Sequence, residues 1–254
     1  MLLAPLKKED DEAVIRTKLQ IVGTFIDILV TRRIWNSKAI DYSTMQYAKF
    51  LIMRDIRGKD PVELASILIG NLSQEQETFS SNDRLRLHGG NGKQIHNVLA
   101  RMTEFVEVGS EMKSKYGEYI VRSGRGAYEI EHIWANHPEL HKVEFPNVAD
   151  FDEYRNRIGG LLLLPKSSNA SYGDLSYEGK VEHYNSQNLL ARSLHELSYS
   201  HNPGFRRFLE RTGLTFKAYK SFAREELDQR QKLYQDLAQV IWSPDRIAHI
   251  AKTT

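Results

Sequence analysis

Cysteine is absent from the 254 residues. That excludes a disulfide framework, a thiolate zinc site and a thiol nucleophile. No run approaches the roughly 20 consecutive apolar residues that span a membrane. The opening MLLAPLKKEDDEAV turns from apolar to charged too soon for a secretory leader. A large excess of either charge is missing as well. Lys and Arg number 35 and Asp and Glu 33, a formal +2, so the total is silent about a polyanionic partner and the distribution has to be read instead. What is present is a globular mixture, 41% hydrophobic and 27% charged. That is too apolar for a disordered chain, and the length suffices to bury a core unaided. The expectation is a cytoplasmic protein of one large domain or two smaller ones, with no membrane segment.

Helical periodicity dominates the first hundred residues. Ile15, Leu19, Val22, Ile26 and Leu29 step by four and three along one face. Asp10 and Asp11 precede that helix and Arg32 and Arg33 end it, matching the helix dipole. A second helix is expected near 42–56 with Asp41 or Ser43 as cap. A third opens on Asp60 and Pro61 and stops at Gly70 and Asn71, and a fourth covers about 93–107. Between 115 and 165 the pattern changes. YGEYIVRS and AYEIEHI read as short strands around GRG, and IGGLLLLP reads as a buried strand. A short helix near 149–157, a loop after Pro165 and a helix around Lys180 come next. SQNLLARSLHELSYS, a short helix from Pro203 to Gly213 and a long helix at 221–241 complete the chain. The layout is mainly α with a small β element, in three stretches: 1–112 helical, 113–186 around the strands, and 187–254 helical, packed with the rest as one unit.

Charge is unevenly spread. Residues 201–224 hold Arg206, Arg207, Arg211, Lys217, Lys220 and Arg224 against one acid, Glu210. Such a segment is either a solvated helix face or a surface that tracks a phosphate backbone. Six of the nine histidines lie between 132 and 201, three of them in EHIWANHPELH. Zinc is one reading of that cluster, but Pro138 confines His137 to a cap and no third ligand has a recognisable spacing. Structural histidines are another. The third is a carboxylate followed at once by a histidine, Glu131-His132, at a strand end. There the carboxylate can hold a hard cation and the imidazole can take a proton from attacking water. A second strand and then an oxygen ligand on or before a helix would complete such a site, and IGGLLLLP followed by Asn169 supplies those parts. Trp134 reads as core, and His141 with Glu144 either as a brace for the irregular insert or as a support behind the site residues.

YEIEHIWANHP, EYRNRIGGLLLLPKSSNASYGD and LSYEGKVEHY together resemble the strand–strand–helix metal finger of HNH (His-Me finger) nucleases. More narrowly, they resemble the C-terminal nuclease half of GmrSD-type, modification-dependent restriction enzymes and their phage-defence relatives. FIDILVTRRIWN, NGKQIHNVLARMTEFVE and NPGFRRFLERTGLTFKAY are similar to the helical framework of that half, so the likeness runs nearly the length of the chain. It implies a ββα-metal element within a helical framework. It also implies a metal-dependent DNA endonuclease or nickase serving restriction or anti-phage defence in the bacterial or archaeal cytoplasm. Matched by motif position, His132 is the general base. Glu131 and Asn169 are ligands of one divalent cation, Mg²⁺ first, with Mn²⁺ or Ni²⁺ as alternatives. Lys180 would stabilise transition-state charge. Arg155, Arg157 and Lys166, with Arg206, Arg207 and Arg211 of the basic segment, would contact the phosphates of double-stranded DNA.

One position departs from the broad pattern. Gly160 stands where many HNH proteins have a middle Asn that orients the base, and Asn156 lies near enough in sequence to substitute. The departure keeps alive a non-catalytic DNA-binding or interaction module built on the same scaffold. Relatives also carry an N-terminal ParB-like nucleotide-hydrolysing domain. Neither its motif nor a G-x-x-x-x-G-K-[ST] loop occurs here, because GKQIHN has no hydroxyl residue after its Lys. The chain is therefore expected to be the effector part of a larger protein or pair.

Overall fold

The computed structural model describes residues 1–252, without the side chains of Tyr42, Ser43, Thr44 and Ala170. By compactness it divides into two units. One is Met1–Asn82 with the residues from Ala238 onward, and the other is Asp83–Leu237. The expected stretch boundaries after 112 and 186 therefore both fall inside the second unit. Among the described residues no helix is long and apolar enough to cross a membrane.

The first unit begins with α1 (Glu12–Trp35), capped by the Asp11 carboxylate, which accepts from the Val14 amide. Its buried face is Ile21, Val22, Phe25, Ile28 and Leu29 with Lys18, a stripe rotated from the expected one. Lys18 can join it because its ammonium is held by Asp10 at 2.7 Å and the Pro5 carbonyl at 3.0 Å. α2 (Tyr42–Asp55) comes second, and the expected cap Ser43 lies outside the described side chains. α3 (Pro61–Gln74) starts as expected, with Asp60 accepting from the Val62 and Glu63 amides. It runs through Gly70 and Asn71, because Leu72 beyond them is buried and holds the helix to the core.

The second unit carries the β element. α4 (Gly92–Gly109) buries Ile95, Val98, Leu99, Met102 and Val106. The expected strand at YGEYIVRS is instead a single helical turn, α5 (Tyr116–Tyr119). Tyr119 is drawn inward by its hydroxyl's bond to the buried Glu107 carboxylate. A backbone bond from the Tyr128 amide to the Val121 carbonyl ties this segment to β1 (Tyr128–His132). An irregular insert separates β1 from α6 (Val148–Arg155), which is capped by Asn147 rather than by a residue near Asp150. A 3₁₀ turn at Ile158–Gly160 leads into β2 (Leu161–Pro165). The two strands are antiparallel, with Glu131 opposite Leu162 and His132 opposite Leu161.

After β2 the expected loop is a helix, α7 (Lys166–Tyr172), with α8 (Tyr177–Tyr184) beyond it. The next expected helix breaks into α9 (Leu189–Arg192) and α10 (Leu197–Ser200). Asn188 starts α9, its side chain capping the Ala191 amide and donating to the Leu163 carbonyl at 2.6 Å, and past the end of α9 the Arg192 and Ser193 carbonyls accept from the Ser198 and Tyr199 hydroxyls. α11 (Pro203–Thr212) ends at Gly213, whose φ of 66° suits a residue without Cβ. α12 (Arg224–Ile241) packs its Gln231 and Tyr234 against the start of β2, bonding the Gly159 amide at 2.7 Å and the Leu161 carbonyl at 3.0 Å. α13 (Asp245–Lys252), for which the sequence carries no separate expectation, belongs to the first unit. There Trp242 packs on Phe79 and donates to Asp27.

Candidate active site

The sheet sets the geometry. Successive strand side chains point to opposite faces, so Glu129 and Glu131 share one face of β1 and His132 occupies the other. The Glu131 face is the core face. Its cross-strand neighbour Leu162 packs with Leu164, Ile133, Trp134, Phe151, Tyr177 and Tyr184. A carboxylate placed there needs compensation. Lys180 of α8 donates to Glu131 Oε1 at 2.7 Å and Tyr184, one helical turn on, donates at 3.1 Å. Both partners of the ion pair are buried, with side chains 1% and 4% exposed. Removing one partner of such a pair commonly costs about 3–5 kcal/mol, because the other charge is left uncompensated. Lys180 also donates to the His132 carbonyl at 2.7 Å. It thereby fixes the end of the strand on which both residues stand.

His132 is half-buried. Its Nε2 lies 3.0 Å from Asn156 Oδ1. Burial, with the nearby Arg155 and then Lys180 charges opposing the bond to Asn156, pulls its pKa from 6.5 to about 4. At neutral pH the ring is uncharged and its second nitrogen can accept a proton. Arg155, at the end of α6, donates Nε to the Trp134 carbonyl at 3.1 Å. Its two terminal nitrogens have no protein partner among the described residues. Burial lowers the Arg155 pKa, and the Glu131 and Asp152 charges work against that.

The other expected site residues are placed differently. Asn169 is on α7, and its amide donates to Glu129 Oε2 at 3.3 Å rather than turning to Glu131. Lys166 is paired with the same carboxylate at 3.1 Å. These two contacts, Lys166 first, lower the Glu129 pKa. Arg157 is buried, lies 3.7 Å over the Tyr154 ring and bonds Asp228 and Glu153, so its charge is already matched by protein acids. Arg207 forms a two-point pair with Glu111 at 2.8 and 2.6 Å, and Arg211 donates to the Gly109 carbonyl. Arg206 is exposed. His137 and His141 bond Glu139 and Glu144 separately. No group of three or more His, Asp and Glu that could hold a metal occurs among the described residues. Trp134 is core, 3% exposed, clustered with the His141 and Phe151 rings.

Two partners are ones that the sequence motifs did not single out. Glu129 shares the Glu131 face by simple alternation, and Tyr184 shares the Lys180 face at i+4 spacing. Both periodicities were readable from the sequence.

A family model for the C-terminal domain of GmrSD restriction endonucleases matches residues 53–237. This chain belongs to that family. The match takes in the whole second unit, with its strands, His132 and most of α12, and residues 53–82 of the first. GmrSD membership makes the domain a nuclease of restriction-endonuclease type with DNA as its substrate class. No curated protein and no solved structure matches the chain.

Proposed function

We propose that this GmrSD C-terminal domain is a DNA endonuclease or nickase of the HNH (His-Me finger) type, with His132 as its general base. The observation that supports this most is the neutral imidazole at the end of β1, bonded by Asn156 and flanked by a guanidinium with open donors. His132 takes a proton from water as the water oxygen bonds to phosphorus. The P–O bond to the leaving sugar oxygen breaks, and that oxygen gains a proton from solvent. Arg155 offsets charge on the non-bridging oxygens.

The donor set expected for a divalent cation does not fit. Glu131 is bonded to a buried ammonium and a phenol, and Asn169 presents donors to Glu129. No step is therefore routed through a cation, and Lys180 acts by holding Glu131 and the strand end. The domain would serve as the effector of a cytoplasmic anti-phage or restriction system, with a ParB-like nucleotide-hydrolysing part supplied outside this sequence.

The test is nicking of supercoiled plasmid with Mg²⁺, Mn²⁺, Ni²⁺ or chelator, comparing wild type with His132→Ala. Loss of nicking in a folded His132→Ala variant is expected. Nicking that survives the substitution sinks the mechanism. Salt-sensitive DNA retention without nicking under any condition would instead identify a binding module.

A further inference from the structure

The hydrogen-bond pattern around Asn156 decides more than the orientation of one ring. Asn156 closes α6, and its side-chain Nδ2 donates to the Asp152 carbonyl at 2.7 Å. A carbonyl only accepts, so the amide cannot be reversed without setting two oxygens against each other. Its backbone is held too, with the amide bonded to the Asp152 carbonyl and the carbonyl accepting from the Leu87 amide at 2.8 Å. Asn156 Oδ1 therefore faces His132 Nε2 as a fixed acceptor at 3.0 Å. A fixed acceptor demands a donor, so the ring proton sits on Nε2. Nδ1 has no protein partner among the described residues and is not sealed inside.

The position that the broad HNH pattern would use is a crowded glycine. Gly160 is buried, and a Cβ there would lie 3.3 Å from both the Arg155 carbonyl and Leu227 Cδ1 of α12. At the neighbouring Gly159, a Cβ would lie 2.4 Å from the Gln231 amide nitrogen. The turn is packed tightly on α12, so a side chain at either glycine would have to displace its neighbours. The Gly160 carbonyl is used as well, accepting from the Ile133 amide at 2.9 Å.

We infer that Asn156 is the positioning residue of the site, supplying from the end of α6 the amide missing at Gly160 and making His132 Nδ1 the proton acceptor. This rests on the general-base reading of His132, but its first readout needs no activity. In ¹⁵N-histidine-labelled protein, the His132 ring proton should appear on Nε2 and exchange slowly with solvent. Asn156→Leu, which keeps bulk and removes the acceptor, should lose that protected resonance. It should also lower kcat by about 10²-fold with KM for DNA unchanged, as expected when a base is left unaligned. Asn156→Asp restores an acceptor toward Nε2 and should return both the resonance and most of kcat. A ring proton found on Nδ1 in the wild type overturns the inference. So does a folded Asn156→Leu domain that keeps the Nε2 proton protected and kcat intact. If that variant does not fold, the wild-type resonance alone decides. Failure of the nuclease reading is separate: a protected Nε2 proton with no His132-dependent nicking would leave Asn156 positioned on an inactive ring.

Discussion

Neighbouring residues on β1 have opposite fates. Glu131 is turned inward and neutralised by Lys180, and His132 is turned to the other face and kept uncharged by its surroundings. The second fact has a measurable consequence. The folded-state pKa of His132, about 4, lies below the ordinary 6.5. Between those values the unfolded chain binds more protons, so stability falls as pH drops from about 6.5 toward 4, and below that both states are protonated. At about 1.4 kcal/mol per unit the loss is on the order of 3 kcal/mol. We expect His132→Gln to flatten this acid-side decline, measured as urea midpoints at pH 7 and pH 4.5. An unchanged pH slope in the variant would contradict the assigned shift. Glu131-His132 as a pair could be picked out from the sequence. Their separation onto two faces followed from alternation, but the identity of the group meeting each one did not.

Between elements, the turn from α6 into β2 is the tightest feature near the site. Gly159 is pressed against the backbone of α12, with Gln231 Nα 2.4 Å and Leu227 O 2.9 Å from where a Cβ would be. Backbone cannot move aside as a side chain can. We expect Gly159→Ala to destabilise the domain by ~3 kcal/mol or more, read by denaturant unfolding. Stability within about 0.5 kcal/mol of wild type, the range of a neutral surface change, would mean α12 does not pack there. In the sequence IGGLLLLP reads as a strand led by glycines, which is how β2 begins. Nothing in it signals that the glycines make room for a helix some 70 residues later. Capping chemistry fared better, since Asp60-Pro61 and Gly213 mark the helix ends they were expected to mark. YGEYIVRS misled because β-rich composition is shared by a strand and by a segment anchored through one buried tyrosine.

At the scale of the whole molecule, the +2 total hides local differences in how charge is used. Within the basic segment, Arg207 and Arg211 are bonded to protein, and Arg206 and Lys220 stand exposed. Arg157 is buried with Asp228 and Glu153. Arg206→Ala and Lys220→Ala should each weaken DNA binding across sequences and reduce the log–log salt slope by about 1. Arg157→Ala should leave the slope unchanged and lower stability instead. Binding titrations across a salt series separate these outcomes. An Arg157→Ala slope change as large as that of Arg206→Ala would show that its guanidinium reaches DNA.

The sequence by itself determined most of the helical framework, the strands at AYEIEHI and IGGLLLLP and the family, because these rest on periodicity, caps and a local run of motif residues, whereas the antiparallel pairing of the two strands came from the structure. The resemblance also grouped Glu131, His132 and Asn169 as one expected site. Only the tertiary structure decided what each one meets. Lys180 and Tyr184 arrive from α8 to take Glu131, Glu129 takes Asn169, and Asn156 takes His132. Those pairings depend on the packing of α6, α7, α8 and α12 around a two-stranded sheet. A buried charge or a polar ring nitrogen bonds whichever partner that packing brings near, and sequence spacing does not encode that choice.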